Sequence, residues 1–228
     1  MLGQIIFSTA PGRITAPEQT TLHGLSVLRV AVDPDGFWAG HRLRKAAKKL
    51  SRAGVRRVLA PEDFQSWQVL EEYGLHPMDP CPFLRANAAP LSVAALKRSG
   101  RVPERSAVAL RALKADRAVV LAAEELCSQV RELCISAPRG GEALSHRLRW
   151  EYGMAVRPDW PEVGGAVRFD RETREQGGCV LNLFLQGLGE NQVSVTVPGL
   201  KNSETGKISL LAALWEGGKL QKSDLEFT

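Results

Sequence analysis

The hydrophobic period of this chain switches between strand-like and helix-like twice over, in the same order each time. That recurrence constrains the fold more than any single residue. Residues 26–32 (SVLRVAV) are a β-branched apolar run and read as a strand. From about 38 to 52 the spacing becomes helical, with Leu43, Ala46, Ala47 and Leu50 on one face, and Gly54 closes the helix. A strand follows at 56–60. Pro61, Glu62 and Asp63 suit the first turn of a second helix, which packs through Phe64, Trp67 and Leu70, stops at Gly74 and leads into a short strand at 75–78. The same order restarts at 107–111. Asp116 caps a helix whose stripe is Val119, Val120, Ala123, Leu126, Cys127 and Val130. A strand at 133–137, a helix at 142–152 closed by Gly153, and a strand at 154–157 complete the second unit.

The two β-α-β-α-β units also share local sequence. AAKKLSRAGVRRVLAP (46–61) aligns with AAEELCSQVRELCISAP (122–138) given one-residue gaps, and both matches run on to Glu-Tyr-Gly, at 72–74 and 151–153. Duplication and convergence on helix–Gly–strand junctions both account for this echo. The fold class expected is α/β, with a mainly parallel, doubly wound, Rossmann-like sheet from two related halves. An antiparallel C-terminal extension follows, because 166–170, 179–185 and 193–197 read as strands joined by Gly-rich turns. The expected organisation is a first α/β half with its N-terminal strand over 1–80, a crossover linker over 81–105, a second half over 106–158 and a β-rich extension over 159–228. The linker holds one helix, at 91–98. In the single-sheet version, strands 26–32 and 107–111 are parallel neighbours at the centre; the alternative is two separate lobes. Ligands of open α/β sheets bind beyond the carboxyl ends of the strands, at the switch point. Asp33, Asp35 and Gly36 on one side and Arg111 and Lys114 on the other are therefore the candidate ligand-binding residues.

Among 228 residues, 44% are hydrophobic and 24% charged, a balance that supports a buried core and excludes extended disorder. The four cysteines and four histidines form no metal-ligand spacing, so no metal is assigned. Cys127 and Cys134 read as small buried hydrophobes. No stretch approaches the ~20 apolar residues of a membrane span, and the N-terminus lacks a signal-peptide pattern. The expected compartment is the cytoplasm.

Val-Ala-Val-Asp-Pro-Asp-Gly at 30–36 resembles the first motif of haloacid dehalogenase-type phosphatases. That resemblance implies Asp33 as nucleophile, Asp35 as general acid/base and Mg²⁺ held nearby. It covers seven residues. The family's Ser/Thr after the next strand is replaced by Ala60-Pro61, and no later acidic pair of the family's spacing occurs. A plain Asp-Pro-Asp-Gly turn is the competing reading. No Gly-x-Gly-x-x-Gly follows a strand, and the Gly-rich stretch 199–208 departs from phosphate-loop spacing, so no cofactor is assigned. Arg139, Gly140 and Gly141 lie between a strand and a helix, where backbone N–H groups and a guanidinium suit a weak anion site. His41 is the one histidine that falls near the Asp33 loop.

The strongest compositional asymmetry is a basic helix. Residues 1–61 hold ten Lys and Arg against three acids, and eight of those bases lie between Arg42 and Arg57 with no acid among them. Arg42, Lys45, Lys49 and Arg52 form one helical stripe. A solvated face, an acidic protein surface and nucleic acid all fit such a stripe, but no aromatic platform interleaves it. Glu124 and Glu125 stand at the equivalent positions of the second half, which points to complementary faces within the chain or between copies in a homo-oligomer. The sequence assigns no catalytic set. The leading expectation is an α/β protein that binds a small ligand or a protein partner without catalysis. A Mg²⁺-dependent enzyme acting on a phosphorylated substrate, or nucleic-acid binding through 42–57, are the alternatives.

Overall fold

The computed structural model describes residues 1–8, 14–158, 163–171, 179–184, 193–200 and 207–228. Most of 199–208, compared above with a phosphate loop, lies outside the described residues. The chain divides into two compact units, Met1–Pro80 with Gly199–Gln221, and Cys81–Pro198 with Lys222–Thr228. Each is α/β.

In the first unit, β1 (Leu2–Phe7), β2 (Glu18–Leu22), β3 (Leu25–Val32), β4 (Arg57–Leu59) and β5 (His76–Pro77) form one sheet in the order β2-β3-β1-β4-β5. All neighbours are parallel except β2, which lies antiparallel along the β3 edge. Helix α1 (Ala39–Arg52) buries the four residues that the sequence stripe selects, Leu43, Ala46, Ala47 and Leu50. They pack with Ile5, Val30 and Val58 of the sheet and with Phe64, Leu70 and Leu75. Burial of this cluster stabilises the unit by ~25 cal/mol per Å² of apolar area removed from water. The next helix is shorter than its sequence suggests. Pro61 opens a turn closed by Phe64 N–H on its carbonyl (3.1 Å), and α2 spans only Trp67–Glu71.

The second unit begins within the segment expected to be a linker. Cys81–Ala86 is α3 and Ala88–Arg98 is α4. Pro82 and Pro90 suggest breaks, but both fall in first turns, where the missing N–H costs nothing. The strands are β6 (Ala107–Arg111), β7 (Glu132–Ser136), β8 (Ala155–Arg157), β9 (Gly165–Arg168) and β10 (Cys179–Asn182), in the all-parallel order β10-β9-β6-β7-β8. The chain thus winds outward from β6 in both directions, through α5 (Arg117–Leu126) and α6 (Gly141–Tyr152) on one side. Asp116 caps α5 as expected, its Oδ1 accepting from the N–H groups of Ala118 and Val119 at 3.0 and 3.2 Å. Among the described residues the extension is antiparallel where β11 (Val195–Thr196) meets β12 (Glu226–Phe227), while β9 and β10 continue the parallel sheet. Helix α7 (Lys207–Glu216) belongs to the first unit; Glu62 accepts from Lys207 N–H (3.1 Å), and Glu216 pairs with Arg57 of β4. Glu62 therefore serves α7 and not the start of α2.

Strands β3 and β6 are not neighbours, and the single central sheet is overturned in favour of two sheets. Both edges of β3 are taken by β1 and β2, and both edges of β6 by β7 and β9. The echo between the halves is also partial. β6 lies beside β7, but β1 separates β3 from β4. What the halves share is the junction: Gly74 and Gly153 both end their helices with positive φ, +70° and +61°.

No atom lies within 4 Å of a Cβ built on Gly153, so a side chain there meets only backbone strain. Gly153→Ala is expected to cost about 1 kcal/mol and to lower the melting midpoint by about 2–4 °C. An unchanged midpoint in a thermal melt would show that the left-handed turn does not hold α6 to β8.

Candidate functional site

The acidic loop after β3 is built as a clasp. Asp35 N–H donates to Asp33 Oδ1 (3.0 Å), closing an Asx turn, while Arg42 reaches back from the first turn of α1. Its Nη2 lies 3.2 Å from Asp33 Oδ2, and its Nε donates to the Asp33 carbonyl, also at 3.2 Å. Nη2 also donates to the Asp35 carbonyl. Gly36 completes the turn with φ +86°, a conformation that a side chain would strain. Asp33 is buried, with the Arg42 guanidinium on its carboxylate. Among the described residues, no cluster of three or more His, Cys, Asp or Glu has metal-site geometry. Next to the clasp, Phe37 and Trp38 are exposed, and Trp38 stands edge-on to His41 with ring centroids 6.2 Å apart.

The basic stripe is divided by the same contacts. Arg42 belongs to the clasp, and Lys49 Nζ donates to the Thr15 carbonyl (3.2 Å). Lys45 and Arg52 remain exposed, with Lys48 alongside. The acids at the equivalent positions of the second half are engaged inside their own unit, Glu124 with Arg147 and Glu125 with Lys222.

The candidate residues of the second half lie at the C-terminal ends of its parallel strands, in a different sheet from Asp33, Asp35 and Gly36. Lys114 and Arg139 form an isolated parallel bridge, with Ala115 N–H on the Arg139 carbonyl at 2.8 Å. The loops after β6 and β7 are thereby zipped together, and both cationic side chains are exposed. Gly140 (φ +80°) leads into α6, and the first N–H of that helix, from Gly141, is already given to the Ala137 carbonyl (3.1 Å). A Cβ on Gly141 would meet Ala137 Cβ at 3.1 Å, so this glycine sets the close approach of helix to strand.

Beside these lies a residue that the sequence reading missed. Arg168 ends β9 in direct register with Arg111, which ends β6. Register partners on parallel strands point to the same face, so both side chains leave the sheet on one side, and Arg111 and Arg168 are only 2% and 4% exposed. Arg168 donates to Asn182 Oδ1 (3.3 Å) and to the Arg171 carbonyl (2.9 Å), and lies 5.1 Å from the Phe184 ring centre. Asp170 accepts from Leu113 N–H (2.8 Å), tying the β9 and β6 ends together. Arg85 of α3 pairs with Asp116 and stacks over Phe169 at 5.7 Å. The signal for Arg168 was an apolar strand broken by Arg in both AVALR (107–111) and GAVR (165–168).

The Cys127 thiol is not activated. Cys134 is fully buried, and burial, with Glu124 nearby, raises the Cys127 thiol above its usual range while its Sγ donates to the Ala123 carbonyl (3.2 Å).

The Asp33 clasp generates a direct test. Asp33→Ala leaves Arg42 partly buried and unmatched, and is expected to cost about 3 kcal/mol in a denaturant melt. Millimolar Mg²⁺ is expected to leave the melting midpoint of the parent protein unchanged, because Arg42 occupies the carboxylate. A Mg²⁺-dependent rise that Asp33→Asn removes would restore the metal reading.

No protein-family model matches the sequence, and no curated protein matches it. Among solved structures, L-tryptophan dehydrogenase from Nostoc punctiforme aligns at a TM-score of 0.32 with 13% identity, over 64% of this chain and 44% of that one. The chain thus spans less than half the length of that enzyme. Aspartate transcarbamoylase from Trypanosoma cruzi, in complex with carbamoyl aspartate and phosphate, aligns at 0.30 with 14% identity, over 82% of this chain and 72% of that one. Quinate dehydrogenase from Corynebacterium glutamicum, in complex with NAD, aligns at 0.27 with 14% identity, covering 73% and 69%. The fold is α/β and Rossmann-like on its own strand order, and no helix among the described residues is long and apolar enough to cross a membrane.

Proposed function

We propose that this protein binds a small carboxylate- or phosphate-bearing ligand, without catalysis, at the C-terminal ends of β6 and β9. The observation that carries this reading is the register pairing of two buried arginines, Arg111 and Arg168, where the chain winds away from β6 in opposite directions. Neighbouring parallel strands are ~4.8 Å apart, so the two arginine stems leave the sheet side by side. Apolar residues of similar size are commonly neutral or stabilising at buried charged positions. Two planar forks rising from one face match the oxygens of one anion, which supports a recognition role. Lys114 and Arg139, exposed on the zipped loops, add long-range attraction for an anion approaching the same edge.

The experiment is calorimetric titration of the whole protein with inorganic phosphate and with a dicarboxylate. Binding by at least one is expected. Arg168→Met is expected to weaken it at least tenfold, since charge-assisted hydrogen bonds contribute about 1.5–3 kcal/mol each. Lys114→Ala should weaken it only a few-fold and should flatten its salt dependence. Failure of every anion to bind at low salt would overturn the proposal, as would a binding stoichiometry and affinity that Arg168→Met leaves unchanged.

A further inference from the structure

The opposite end of the second sheet carries a second cationic feature, independent of the site above. A cavity of about 330 Å³ lies at the N-terminal edge, lined by Arg101, Arg105, Arg131, Arg157 and Glu132, with Ser106, Ala107 and Gly164 as its floor. Its lining has four guanidiniums and one carboxylate. Glu132 opens β7 and is 8% exposed, and its Oε1 lies 3.3 Å from Arg157 Nη2 and 3.6 Å from Arg131 Nε. That single carboxylate draws two of the arginines to one side of the cavity, and its charge offsets only one of them.

The other two arginines come from the turn that precedes β6. Arg101 follows the end of α4, its N–H bonded to the Leu96 carbonyl (2.9 Å), and Arg105 closes a 3-10 turn, Pro103–Arg105. Ser106 fixes that turn by donating its hydroxyl to the Val102 carbonyl (2.8 Å). Arg101 Nη1 lies 3.5 Å from a Cβ built on Gly164, so the absence of a side chain there opens room for the guanidinium. Among the described residues, neither the Arg101 nor the Arg105 side chain forms an ion pair. All four arginines are exposed at the rim, yet their backbones are fixed by β6, β7, β8 and the turn.

We infer that this cavity is a binding site for a small, multiply charged phosphate of the diphosphate type. Guanidinium forks match phosphate oxygens two at a time, and four of them exceed what one monoanion can engage. The volume falls in the range of small-ligand sites, ~300–1,000 Å³. The arginines converge on a concavity and do not follow a line, which favours a compact anion over a nucleic-acid backbone. Glu132 acts as a positioning residue. It holds Arg131 and Arg157 through one oxygen edge and leaves their remaining N–H groups for the ligand.

The test is titration of the whole protein with pyrophosphate, inorganic phosphate and duplex DNA at low salt, read by calorimetry. Pyrophosphate is expected to bind at least tenfold more tightly than phosphate at this site. Arg101→Ala and Arg105→Ala are each expected to weaken pyrophosphate at least tenfold while leaving the melting midpoint unchanged, since neither side chain forms an ion pair or hydrogen bond among the described residues. Glu132→Gln is expected to weaken it with intact folding, whereas a purely repulsive carboxylate would strengthen it on removal. Arg168→Met, which tests the other end of the sheet, should leave pyrophosphate affinity at this site unaltered. Pyrophosphate binding that survives both Arg101→Ala and Arg105→Ala would overturn the inference, as would duplex DNA binding as tightly through the same residues.

Discussion

The parallel pairing of β6 with β9 is the constraint on which the second unit depends. It sets Ala109 beside Ala166, Leu110 beside Val167 and Arg111 beside Arg168. Because side chains alternate with a period of two, this register sorts the sheet into two chemically different faces. Val108, Leu110, Leu133, Ile135 and Val167 share the larger apolar face. Ser92, Ala95 and Leu96 of α4 close over it near Val108 and Val167, and α5 and α6 complete that layer. A slip of one residue would bring the arginines to the helix-covered face, where nothing could satisfy them.

The other face holds small residues in its middle and charge at both ends. Ala107, Ala109, Cys134, Ala166 and Val163 cluster there. Glu132 lies at the N-terminal end of that face, and Arg111 and Arg168 lie at the C-terminal end. In the first unit the charge is spent locally instead. Arg42 clasps the Asp33 loop, and Lys49 holds the Thr15 carbonyl, so a run of eight bases yields a smaller exposed patch than its count suggests.

Much of the fold was legible because helix–Gly–strand junctions are local. The apolar stripe of α1, the Asp116 cap and the left-handed glycines at 54, 74 and 153 each rest on interactions within a few residues. Strand adjacency was not legible, since nothing in residues 26–32 specifies that β1 will lie between β3 and β4. The helix expected at 91–98 is α4, which starts three residues earlier with Pro90 in its first turn, whereas α3, with Pro82 at its start, was not legible. At the candidate site, Arg111, Lys114 and the 139–141 turn do gather at one edge, while Asp33, Asp35 and Gly36 belong to the other sheet. Arg168 escaped notice because its importance lies in pairing across 57 positions of sequence, which no local period records.

The same argument explains why fold alone assigns no chemistry here. An open parallel sheet fixes where side chains at strand ends will converge, but the residues placed at those ends decide what binds. In the first sheet the end of β3 holds a carboxylate already matched to a guanidinium, and the loop is closed upon itself. In the second sheet the ends of β6 and β9 hold two buried arginines in register on one face. The first is a solved electrostatic problem and belongs to structure. The second sets two planar forks side by side at strand ends, and that difference, read from register and burial, is what directs the functional reading to β6 and β9.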